Sequence, residues 1–161
     1  MKNIMKSALG LHMTAIFLVA ALAGPAAAKN QVPFHGSLQG VEIGEVQGTI
    51  LSVDGSGTGV ATHLGRFTVT WEATVNLLDG SGGGSSHFIA ANGDSLFTEG
   101  SGQAEPTDTP GVLRIVGIDT ITGGTGRFAG ATGSITLERL LDPTGFASGS
   151  FKGTIVMPGA K

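Results

Sequence analysis

Twelve consecutive residues, 66–77, alternate without exception between polar and apolar. Phe67, Val69, Trp71, Ala73, Val75 and Leu77 are apolar, whereas Arg66, Thr68, Thr70, Glu72, Thr74 and Asn76 are polar. On a helix, steps of two residues turn about 200°, which scatters the apolar set around the circumference. A pleated strand puts the whole set on one face. The opposite phase would turn Arg66 and Glu72 into the interior, where an unpaired charge is costly, and leave the apolar side chains in water. Fully burying a large apolar side chain is worth about 1.5–3 kcal/mol, and that decides the phase. Phe67, Val69, Trp71, Val75 and Leu77 are therefore assigned to the core or to a subunit contact.

Turn chemistry divides the rest of the chain into similar pieces. Asn92-Gly93 between two strand-like runs is a strong hairpin signal, because both central residues of such a turn adopt positive φ. Asp54-Gly55-Ser56-Gly57 reads as a second turn, residues 79–86 as a flexible Gly/Ser run, and residues 105–111, with Pro106 and Pro110, as a loop. Strands are predicted near residues 34–46, 47–53, 59–64, 66–77, 86–91, 95–104, 112–122, 133–141 and 146–156. The first two of these are allowed to be one bent strand. Leu137, Leu140 and Leu141 have helical spacing ahead of Pro143, so a short helix there is the alternative. Short loops favour antiparallel neighbours. The fold predicted is all-β: a closed antiparallel barrel of about eight strands, which removes sheet edges, with a two-sheet β-sandwich as the alternative.

Residues 1–28 read as a secretory signal. Lys2 and Lys6 precede an apolar run over residues 9–23, and Ala26-Ala27-Ala28 offers small residues for cleavage. The run is shorter than the ~20 apolar residues of a membrane span, and no twin arginine precedes it. Residues 29–161 are then the mature domain, exported by the general secretion route to a periplasmic or extracellular location, with no membrane span after processing. A chain of about 130 residues buries roughly two-thirds of its unfolded surface, enough for one core without staples. That matters because the sequence has no cysteine. The same absence excludes disulfide scaffolds, thiol nucleophiles and Cys-ligated zinc. A net charge of −3 without basic runs argues against nucleic-acid binding. With no Tyr and one Trp, the chain lacks the aromatic girdles of an outer-membrane barrel.

Motifs for chemistry are sparse. Gly124-Thr125-Gly126-Arg127-Phe128-Ala129 matches a dinucleotide fingerprint in letters, but the residues that follow, Gly130-Ala131-Thr132-Gly133-Ser134, are poor helix formers. A tight turn is the better account, and no cofactor is expected. His35, His63 and His87 fall in different segments with no metal-ligand or triad spacing, so no metal is expected. Glu72 with Glu99 or Glu138 could supply the carboxylate pair of glycosidase chemistry, but any three exposed strand carboxylates would look the same. Thr68, Thr70, Thr74, Thr120 and Thr122 point outward as a threonine array that β-propensity already explains.

The run Thr122-Gly123-Gly124-Thr125-Gly126-Arg127-Phe128-Ala129-Gly130-Ala131-Thr132-Gly133 resembles a segment shared by allene oxide cyclases and dirigent proteins. The wider resemblance spans residues 57–155 and is similar to bacterial secreted relatives of that barrel class. It implies an eight-stranded antiparallel barrel, trimeric in many plant members. It also implies that Gly123, Gly124, Gly126, Phe128 and Gly133 are structural turn positions. The family's catalytic side chains find no match here, and enzyme status stays open. The functional reading is a secreted, non-catalytic barrel that binds a small apolar ligand, with Phe67, Val69, Trp71 and Val75 as barrel-facing candidates. The alternatives are a structural or adhesive surface module, and an isomerase or cyclase of a lipid-like substrate.

Overall fold

The computed structural model describes residues 31–158. The expected export signal, residues 1–28, lies outside the described residues. Eight strands follow one another in chain order: β1 (Gln31–Gln47), β2 (Ile50–Ala61), β3 (Gly65–Asn76), β4 (Ser81–Ala90), β5 (Ser95–Pro106), β6 (Leu113–Gly124), β7 (Thr132–Leu141) and β8 (Phe146–Val156). Each pairs antiparallel with the next, and β8 pairs with β1, so the sheet closes into a barrel rather than a sandwich. A single 3₁₀ turn, Gly126–Phe128, is the one helical piece among the described residues.

The register shows why so many glycines occur inside strands. Inward positions of neighbouring strands place a bulky residue opposite a glycine: Trp71 faces Gly55, Phe67 faces Gly59, Phe151 faces Gly36, and Phe34 faces Gly153. A Cβ on Gly55 would overlap the Trp71 indole, and one on Gly153 would overlap the Ser134 carbonyl. Small-against-large pairing lets a narrow barrel coil tightly without overfilling itself.

This pairing corrects the predicted segmentation. Asp54-Gly55-Ser56-Gly57 is not a turn. It is the middle of β2, which joins two segments predicted separately, and the turns lie at Gly48 (φ 63°) and at residues 62–64. The Gly/Ser run at 79–86 is a loop only up to Gly80, and β5 continues through Pro106. Residues 137–141 belong to strand β7, not to a helix. The Asn92-Gly93 hairpin is present, with Gly93 at φ 88°.

One end of the barrel is packed shut. Phe34, Phe67, Phe88 and Phe151 form a ring cluster with centroid separations of 5.1–6.4 Å. Leu64, Leu96, Ile121, Phe128, Ala131 and Ile155 pack in the same core, and all are buried. Residues 123–133 build the plug. Gly123 and Gly133 sit at φ 147° and Gly126 at φ 56°, and the 3₁₀ turn drops the wholly buried Phe128 into the end of the barrel. Arg127 lies over the Phe128 ring at 4.9 Å and donates to the Leu64 carbonyl at 3.2 Å, tying the plug to the β2–β3 turn.

Candidate functional site

The opposite end is open. Toward this end the inward positions of β4 and β5 are small, Gly82, Gly84, Gly100, Gly102 and Ala104, and β6 adds Gly117 between Ile115 and Asp119. With little side-chain volume on β4 and β5 to fill that side, a cavity of about 500 Å³ remains inside the barrel. That lies within the roughly 300–1,000 Å³ range of small-molecule sites. Val53, Val69, Ala73, Val75, Ile115, Leu137 and Leu141 supply most of its apolar wall. A second hollow, of about 760 Å³, spreads across the outer wall beside Val60, Arg66, Thr68 and Ile89. It is lined in part by exposed residues and contains none of the buried ionic groups described below.

The four barrel-facing candidates all point inward, with two environments. Phe67 and Val69 are buried in the closed-end core. Val69 also reaches the cavity wall, together with Trp71 and Val75. Trp71 is half-buried and packs against the core. Leu77, which the alternation assigned to the core or to a subunit contact, is 50% exposed and lies outside the core. It follows the last residue of β3, where the pleat gives way to a turn, so it reaches the cavity rim and not the core.

Three ionisable side chains inside the barrel were not singled out from sequence. Glu42 on β1 and Arg139 on β7 form an ion pair with side chains only 7% and 12% exposed. The indole Nε1 of Trp71 donates to Glu42 Oε2 at 3.1 Å, and the same oxygen accepts from Arg139. The guanidinium also lies 5.7 Å from the Trp71 ring centre. Pairing explains how charge is tolerated where an isolated charge would not be. Asp119 on β6 is the third group, lying against Gly100 of β5 and accepting from Thr98 Oγ1 at 3.4 Å. Burial pushes its carboxyl above the ordinary range, against smaller opposing effects of the Thr98 hydroxyl and the Arg139 charge.

A sequence signal for these groups existed. Ile135, Leu137, Arg139 and Leu141 share one strand phase, as do Phe34, Leu38 and Glu42, and so do Ile115, Asp119 and Ile121. Extending the alternation of each strand through its polar member would have placed all three inside.

The other candidates are dispersed. His35 is on β1, His63 is in the β2–β3 turn with Nε2 3.2 Å from the Pro33 carbonyl, and His87 on β4 meets Ser95 Oγ at 2.9 Å. Among the described residues, no group of three His, Cys, Asp or Glu side chains is arranged to hold a metal. Glu72, Glu99 and Glu138 are exposed on the outer wall, and Glu138 is engaged by Arg114 at 2.8 Å. The dinucleotide-like letters lead through one 3₁₀ turn straight into β7, so no helix N-terminus faces a phosphate. No protein-family model, curated protein or solved structure matches the chain.

Proposed function

We propose that the chain is an exported, non-catalytic barrel that binds one small, largely apolar molecule in its lumen. The observation that carries this reading is the cavity of about 500 Å³ beside the glycine positions of β4–β6, closed below by the phenylalanine cluster. At ~30 Å³ per water-sized volume, it offers room for roughly sixteen non-hydrogen atoms. Export rests on residues 1–28, and a mature chain beginning at Lys29 would support it. Val41, Ile43 and Phe146, exposed near one another on β1 and β8, are one apolar face that a homo-oligomer would cover.

The direct test is titration with N-phenyl-1-naphthylamine, an uncharged dye that brightens in apolar surroundings. One saturable site is expected, with quenching of Trp71, the single tryptophan. Ala104→Phe, which places a ring in the lumen opposite Ile115, should abolish it while far-UV circular dichroism stays unchanged. Equal dye binding by the blocked variant would contradict the proposal.

A second reading, an isomerase or cyclase acting on an unsaturated lipid-like substrate, is favoured by one observation. Asp119, an acid with a raised titration, lines the cavity without an ion-pair partner of its own, and perturbed acids in cavities are common in active sites. Turnover that survives Asp119→Asn would remove its basis.

A further inference from the structure

The cavity is lined by one base, Arg139, and four acids, of which Glu72 and Asp79 are exposed and Glu42 and Asp119 lie inside the barrel. Glu42 and Arg139 neutralise each other directly. Asp119 has no such partner: its one side-chain hydrogen bond among the described residues is the long contact from Thr98. The Glu42 carboxylate is engaged through Oε2 alone, by Trp71 and Arg139. Its Oε1 has no donor among the described residues, yet it is not among the side-chain atoms sealed from solvent without a partner. That oxygen is therefore reachable from the cavity, where two carboxylates present acceptor capacity that the protein does not fill.

A charge placed in such a site has to be compensated there, because water cannot screen it. A carboxylate-headed ligand would meet Arg139 already committed to Glu42 and would add negative charge beside Asp119. An ammonium head supplies what the lumen lacks, a cation with several N–H donors for Asp119 and for the free oxygen of Glu42. The remainder of the ligand would lie against Leu137, Ile115 and Val69.

We infer that the lumen selects an amphiphile with a cationic, hydrogen-bond-donating head, a primary alkylamine in chemical class, with Asp119 as its anchor. This rests on the reading of the barrel as a binding cup and names the chemistry of its ligand. The test uses three ten-carbon probes, decylammonium, 1-decanol and decanoate, titrated at neutral pH and read through Trp71 fluorescence. The expected order of affinity is decylammonium, then 1-decanol, then decanoate. Asp119→Asn should weaken decylammonium about tenfold, as loss of a charge-assisted hydrogen bond does, and should leave 1-decanol within about twofold. Decanoate binding as tightly as decylammonium, or an ammonium affinity indifferent to Asp119→Asn, would overturn the inference while leaving the cup intact. Failure of 1-decanol together with both charged probes would overturn the binding reading itself.

Discussion

Arg139 and Glu42 show how far a single residue's placement depends on its partner. Arg139→Met leaves a carboxylate buried with only the Trp71 N–H to satisfy it, and stability should fall by about 3 kcal/mol in urea unfolding. Adding Glu42→Gln should recover most of that loss, because the carboxylate that Arg139 neutralised is then gone; additive losses would show that the two side chains do not act as a pair. Asp119 has a separate signature. An acid whose titration is raised on folding weakens the native state as pH climbs above its ordinary value of 3.8, since the unfolded chain ionises first. Stability of Asp119→Asn relative to the parent should therefore increase from below pH 3.8 toward neutrality. A difference that does not change with pH would contradict burial of this carboxyl. Glu138, held low by its Arg114 hydrogen bond, contributes with the opposite sign in both proteins and drops out of the comparison. At this scale the sequence was legible where hydrophobicity alone decides a position, as at Phe67 and Val69. It was less legible where a charge is admitted because a partner from another strand neutralises it. The ninety-seven-residue separation of Glu42 and Arg139 leaves no local trace of that pairing.

Elements were readable to the extent that side chains alternate visibly. β3 carries a full alternation and was assigned within one residue at each end. β2 was cut in two because Gly55 and Gly57 read as turn residues, when each occupies an inward strand position opposite a larger residue or another glycine. Local composition does not distinguish a glycine needed for positive φ from one needed to make room. The 3₁₀ turn Gly126–Phe128 is a case where both uses meet: the glycines shape the turn, and the phenylalanine it delivers closes the barrel. Phe128→Ala should then cost about 3–5 kcal/mol, the range for removing a fully buried aromatic ring. Leu78→Ala, at an exposed loop position, should stay within about 0.5 kcal/mol. Similar losses at both positions, in parallel urea titrations, would mean that the turn is not a plug.

For the molecule as a whole, closure into a barrel followed from counting short strands and from the need to remove sheet edges. Whether the barrel is hollow could not be read in the same way, because volume depends on which residues meet across the register. Here β4 and β5 set Gly82 and Gly84 opposite Gly102 and Gly100, whereas on β1, β2 and β8 the inward glycines Gly36, Gly55, Gly59 and Gly153 are offset by Phe151, Trp71, Phe67 and Phe34, and the imbalance leaves the lumen open on one side. The most direct test is crystallographic: soak the protein with 10-bromo-1-decanol and locate the bromine by its anomalous scattering. One bromine inside the barrel, bounded by Trp71, Ile115 and Leu137, is the predicted result. A bromine confined to the outer hollow beside Val60 and Ile89, or a lumen filled by side chains with no bromine in it, would contradict the account.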